Sequence, residues 1–193
     1  MKKYIAEALG TFALTLVVGL SLSGHFPVST PVSAALVVLL FVYTLGHVSG
    51  THINPALTVG AWSIKKISSK DAIMYIVSQF IGAGVALFVI SMTVGVPFLM
   101  TSNNWMTAFA ECLGTLFFAF GVASVIYGKS PSAVSGVVAG GSLLLGITIA
   151  ALLGSNGVLN PALAFGIGSF NVSYAIAPLV GSVVGMQLYK YLG

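Results

Sequence analysis

The chain has 193 residues, 58% of them hydrophobic and only 5% charged, with a mean hydropathy of +1.07. A composition this apolar excludes a soluble globular domain and points to an integral membrane protein. The formal net charge of +4 comes from lysines alone, there being no arginine, and their placement explains it without a nucleic-acid partner.

Six apolar stretches, at about 5–23, 32–47, 72–94, 106–127, 133–153 and 174–192, approach the ~20 residues that a spanning helix needs. The first follows Lys2 and Lys3 as a signal sequence would, but its apolar run is too long and no clear cleavage site follows, so it is read as a retained helix. Lys65, Lys66 and Lys70 lie between the second and third spans, Lys129 follows the fourth and Lys190 ends the sixth. With six crossings all seven lysines fall on one side, which the positive-inside rule makes cytoplasmic, with both termini there. Tyr4, Trp62, Tyr75, Tyr127 and Tyr189 sit near that side, and Trp105 and Tyr174 near the other; Tyr43, within a span, is the exception.

Between the second and third spans the chain reads Asn54-Pro55-Ala56-Leu57, and between the fifth and sixth it repeats as Asn160-Pro161-Ala162-Leu163. Proline is tolerated at the first helical position and asparagine is a favoured N-cap, so each copy reads as a helix start. A helix from Pro55 to near Ile64 is ~15 Å long, half a bilayer. One such half-helix entering from each face brings two positive dipole ends, each equivalent to ~0.5 charge, to the midplane, which disfavours cations and protons but not a neutral solute. The unwound residues before each half-helix must line protein or a water-filled cavity. Carbonyls of Gly50, Thr51, His52, Val158 and Leu159 are the expected ladder of acceptors.

Ala6-Glu7-Ala8-Leu9-Gly10-Thr11 returns as Ala110-Glu111-Cys112-Leu113-Gly114-Thr115, opening the first and fourth spans. The chain is therefore a single channel domain over 1–193, built from repeats 1–97 and 98–193. Three crossings per half make the second repeat enter from the opposite face, which places a permeation site between them. The expected fold is an all-α membrane protein of six transmembrane helices and two re-entrant half-helices in an inverted 3+3 repeat. Glu7 and Glu111 fall within spans, where a charge costs ~2.5–3.5 kcal/mol and needs partners; backbone N–H groups of the irregular segments are the candidates. A proton relay in a coupled transporter is the alternative for these two residues.

Paired Asn-Pro-Ala boxes, the Ala-Glu-x-x-Gly-Thr repeat and the run Ser49-Gly50-Thr51-His52-Ile53-Asn54-Pro55-Ala56 resemble the major intrinsic proteins, the aquaporins and glycerol facilitators. The resemblance covers nearly the whole chain. It implies a passive channel for water or small neutral solutes, usually a homotetramer with one pore per subunit, in which Asn54 and Asn160 donate side-chain hydrogens to the solute. It also implies that Glu7 and Glu111 hold the pore loops, Glu111 close to His52 and Glu7 at the opposite loop. By family offsets the outer filter is Ala34, Thr148, Gly157 and Leu163. Leu163 stands where the family usually has arginine, and Ala164 where glycerol facilitators commonly have aspartate. The expected constriction is wider and more apolar than that of a strict water channel, with cation exclusion resting on the central dipoles. Water is the conservative substrate; glycerol, ammonia, urea and hydrogen peroxide are compatible with it. The plasma or inner membrane of a prokaryote is the expected location.

Other classes fare worse. Three carboxylates and a single Cys112 assemble no nucleophile, base or metal constellation, so no enzyme, metal site or cofactor is expected. A poorly conducting structural membrane protein is the remaining alternative. His25 reads as a loop surface residue, His47 as a packing residue at a helix end, and His52 as pore lining or loop support. Rotamers of Leu163, Phe26 and Phe165 set the pore radius.

Overall fold

A computed structural model describes the chain except for residues 23, 25, 26, 96–98 and 100; the expectations for His25 and Phe26 lie outside the described residues. Among the described residues eight α-helices follow one another: α1 Lys2–Leu22, α2 Thr30–Ser49, α3 Pro55–Ser63, α4 Ser69–Thr93, α5 Trp105–Ile126, α6 Ser135–Leu152, α7 Pro161–Gly166 and α8 Val172–Leu192. A single 3-10 turn, Ser132–Val134, leads into α6. Six of the helices are long and apolar enough to cross a membrane.

The two short helices differ. α3 has nine residues, near the expected half-bilayer, but α7 has six, which is only ~9 Å at 1.5 Å per residue. The second half-helix is thus shorter than the first, against expectation. Its extension is blocked by the next element: Gly168 turns the chain with φ +69°, and Asn171 already caps α8 by accepting from Tyr174 N.

α1 packs on α2 and α4, α5 on α6 and α8, α2 on α6, α3 on α8, and α4 on α7. Exchanging the first four helices for the last four leaves this pattern unchanged. Small residues permit the closest crossings, as membrane helices require in the absence of a hydrophobic drive between them. A Cβ on Gly82 would overlap the Ala8 carbonyl of α1, and one on Gly181 would overlap the Cys112 carbonyl of α5. The outward face of α4 carries Ile73, Val77, Ile81, Phe88 and Met92, all exposed, while Ala72, Gln79, Ala83 and Ala86 are buried. Large apolar side chains turned out and small or polar ones turned in is the pattern of a helix with lipid as its outer solvent.

Side-chain contacts gather the ends of α1, α3, α4, α5 and α8 at one end of the bundle. Lys3 Nζ lies 2.8 Å from Asp71 Oδ2, and Tyr4 Oη donates to Asp71 Oδ1 at 2.8 Å. Lys66 Nζ sits 4.2 Å above the Tyr127 ring, and Gln187 Nε2 donates to Ser63 O at 2.8 Å. At the other end Asn171 Nδ2 donates to Thr101 Oγ1 and Ser173 Oγ to Asn103 Oδ1. Water and salt screen an ion pair at the surface such as Lys3–Asp71; these contacts locate the ends more than they stabilise them.

Candidate functional site

The site is built by the starts of α3 and α7. Asn54 is extended and caps α3, its Oδ1 accepting from Ala56 N at 2.8 Å; Asn160 caps α7 by accepting from Ala162 N and Leu163 N at 3.1 and 3.2 Å. Pro55 and Pro161 take the first helical position, and Ala56 and Ala162 are fully buried beside them. With each amide oxygen committed to a cap, each amide nitrogen faces the other half of the molecule. Asn54 Nδ2 donates to Leu159 O at 2.9 Å, and Asn160 Nδ2 donates to Ile53 O at 3.0 Å. The two helix starts are thereby braced tip to tip, and each amide retains a second N–H.

The loops that precede the asparagines carry left-handed backbone: Thr51 at φ +52°, Ile53 at +42°, Gly157 at +66° and Leu159 at +55°. For a β-branched residue such as Ile53 this conformation is strained and persists only where neighbours hold it. The fully buried carboxylates hold it. Glu7 accepts from His52 N at 2.9 Å, Ile53 N at 2.6 Å, Ser49 Oγ at 2.7 Å and Gln79 Nε2 at 2.8 Å. Glu111 accepts from Val158 N at 3.1 Å, Leu159 N at 2.7 Å and Ser155 Oγ at 2.5 Å. Each carboxylate therefore serves the loop of its own half, not the opposite one, and it is Glu7 that lies beside His52. The reason is local: Gly10 in α1 leaves room for Ile53, and Gly114 in α5 leaves room for Leu159, so each loop seats against the helix that carries its own glutamate.

An apolar cavity of about 220 Å³ runs along this brace. Leu14 and Val18 of α1, Ala34 and Val38 of α2, and Leu143 and Ile147 of α6 form much of its wall. The loop residues Asn156, Gly157 and Val158 line it too, with Leu163 and both capping asparagines. A second cavity, of about 400 Å³, opens at the lysine-bearing end among Ser49, Gly50, Lys66, Asp71 and Tyr75. His52 lines both cavities.

Of the residues expected at the outer filter, Ala34, Gly157 and Leu163 line the cavity; Thr148 does not. It is exposed, and its hydroxyl donates to Leu144 O of its own helix at 2.8 Å. Ile147 takes the inward position. Gly140 seats against the Ala35 carbonyl and Gly146 against that of Gly114, and this fixes the inward face of α6 as Gly136, Ala139, Gly140, Leu143, Gly146, Ile147 and Ala150. The small residues at three- and four-residue spacing were the available signal. The Leu159 carbonyl, expected as a free rung of the ladder, is engaged by Asn54. Thr58 and Gln79 were not anticipated at the site, although an amide inside an otherwise apolar span was a visible cue. His47 is exposed at the end of α2. Among the described residues no three His, Cys, Asp or Glu side chains could hold a metal ion.

The family model for major intrinsic proteins matches residues 1–189. Aquaporin AqpM of Methanothermobacter thermautotrophicus is 28% identical over an alignment covering 99% of this chain and 97% of its own length. Aquaporin Z of Bradyrhizobium diazoefficiens is 30% identical, covering 100% of this chain and 93% of its own. These alignments extend over 244 and 227 positions, so the relatives carry insertions that this chain lacks. The X-ray structure of the aquaglyceroporin from Plasmodium falciparum superposes with a TM-score of 0.77 at 25% identity, over 98% of this chain and 95% of that one. With six spanning helices, two braced short helices and these relatives, the chain is an integral membrane channel protein of the major intrinsic protein family.

Proposed function

We propose that this protein is a passive channel for water and small uncharged solutes, without coupling to ions, whose path runs between the two Asn-Pro-Ala starts. The observation that carries this reading is the reciprocal brace, Asn54 to Leu159 O and Asn160 to Ile53 O, lying on the wall of an apolar cavity that shares His52 with a second one. Each asparagine keeps one N–H for a passing solute, and both helix N-termini put partial positive charge beside it. A neutral molecule with a lone pair is stabilised at this point, whereas a cation loses its water and gains repulsion.

Ala34, Gly157 and Leu163, joined by Ile147, form the proposed outer constriction, and the loops at 50–52 and 157–158 supply acceptors along the path. The lysine-bearing end is the cytoplasmic one, with both termini there, and the exposed apolar helix faces fit lipid and the neighbouring copies of a homotetramer. A coupled transporter is disfavoured because both glutamates are engaged in holding loop backbone and leave no carboxylate for a relay.

The test is stopped-flow light scattering on proteoliposomes under a sucrose gradient, with an entrapped pH indicator. Shrinkage faster than in protein-free vesicles, with no accompanying pH change, is the expected result. Water flux no faster than in protein-free vesicles, or flux that requires a proton gradient, overturns the reading.

A further inference from the structure

Hydrogen bonding around the path is unequal in donors and acceptors. In the outer loop, Val158 N and Leu159 N are both donated to Glu111, and Gly157 N points to Ser155 Oγ at 3.5 Å. In the inner loop, His52 N and Ile53 N go to Glu7 and Thr51 N to Ser49 Oγ. The two carboxylates thus draw the loops' N–H groups to the helix side, so what the loop backbone has left to offer a solute is carbonyl oxygen.

His52 adds another acceptor. Gln79 Nε2 donates to Glu7 Oε2 at 2.8 Å and to Thr58 Oγ1 at 3.0 Å; the flipped amide would set an oxygen against the carboxylate. Thr58 has one hydroxyl hydrogen, directed at Asn54 O at 3.1 Å. With that hydrogen given to Asn54 O, the Thr58 oxygen is an acceptor for His52 Nδ1, 3.1 Å away, in the Nδ1–H tautomer. With the proton on Nδ1, Nε2 is left with a bare lone pair on the residue shared by both cavities.

The side chains of Ala34, Ile147 and Leu163, and Gly157 beside them, bring no N–H or O–H group to this part of the cavity wall. Asn156, at the same loop, directs its amide to Tyr174 Oη at 3.3 Å. Among the described residues, the side-chain donors on the cavity wall besides Asn156 and His52 are the remaining N–H of Asn54 and of Asn160, at the centre, and Thr30 at the mouth.

From this imbalance, and resting on the channel reading above, we infer that the pore selects small neutral solutes whose hydrogen-bonding is mainly donation, of which ammonia is the type, over polyols and urea. Ammonia has three N–H groups for the carbonyl acceptors that dominate the wall and leaves one lone pair unmatched at the constriction. Water leaves two, urea leaves those of its strongly accepting carbonyl, and glycerol leaves those of three oxygens. Each acceptor stripped of water without a donor adds to the barrier. Apolar width alone would instead admit glycerol and urea as soon as they fit.

The experiment uses the full chain in sphingomyelin and cholesterol vesicles, whose own ammonia leak is low. Ammonia entry is read from alkalinisation of an entrapped pH indicator, and water, urea and glycerol entry from light scattering, all against protein-free vesicles. The expected result is an ammonia permeability above background by at least about tenfold more than that of glycerol or urea, the ratio expected from one hydrogen-bonding group left without its partner. In Leu163→Gln, which places a donor at the constriction, glycerol and urea should rise toward ammonia, a shift in ratio that a packing defect would not give. Glycerol or urea entering as fast as ammonia, or water flux without ammonia flux, overturns this inference and leaves the channel standing. Absence of both water and ammonia flux overturns the two together. Should Leu163→Gln fail to fold, the ratio in the unaltered protein decides.

Discussion

The role of Glu111 rests on two backbone N–H groups that have no other partner of comparable strength in a strained loop. Glu111→Gln would set an amide NH₂ against Val158 N or Leu159 N in place of a carboxylate oxygen. The expected destabilisation is ~2–3 kcal/mol, the cost of an unsatisfied buried donor plus a lost charged hydrogen bond, together with loss of water flux; thermal unfolding in detergent micelles measures the first. Intact passive flux with only a lost proton dependence would contradict a loop-holding role. A second residue-scale contrast concerns α6. Thr148→Val should leave solute permeability within about twofold, as a substitution on an outward face does. Ile147→Ala should instead widen the constriction and raise glycerol permeability by ~10-fold, the scale of discrimination set by a methylene or two in an apolar passage. Equal effects at the two positions would mean that α6 is turned differently. Leu163→Arg, whose longer side chain narrows the same constriction by more than its added donors offset, should lower glycerol and ammonia entry relative to water; unchanged solute ratios would place the constriction elsewhere.

At the scale of elements, both half-helices were legible because their starting signal is local. An asparagine cap followed by proline specifies a helix N-terminus wherever it occurs, and Asn54 and Asn160 both form the cap that the sequence calls for. The length of α7 was not legible, because it is set by how soon Gly168 and Asn171 begin the next element. The inward face of α6 was misassigned by one residue for a related reason. A family offset counts residues, whereas the rotation of a helix is set by which glycines touch a neighbour. Those contacts can be tested directly. Gly82→Val should prevent α4 from reaching α1, since its side chain would meet the backbone of Ala8, costing ~3 kcal/mol or more and leaving little folded protein in size-exclusion chromatography. Gly84→Ala, where a Cβ would make only an ordinary 3.7 Å contact with Phe165, should be tolerated on the same column.

At the scale of the whole molecule the proposed orientation and assembly make separate predictions. Single cysteines placed at Lys70 and Lys129 in a Cys112→Ser background should react with an impermeant maleimide only from the cytoplasmic side; labelling of either from outside would reverse the topology. Native mass spectrometry in detergent should give four copies per particle. The membrane class, the number of spans, the clustering of the lysines and the two capped starts are written in the chain itself, because hydropathy, charge and capping are properties of contiguous residues. Only the tertiary structure decided that each glutamate holds its own loop, that each asparagine reaches across to the other, that Ile147 and not Thr148 faces the cavity, and that the loops turn their N–H groups away from it. Those outcomes depend on which backbones approach closely enough to share hydrogen bonds, and that is fixed by packing between segments distant in the chain, 45 residues apart for Glu7 and His52 and 105 for Asn54 and Leu159.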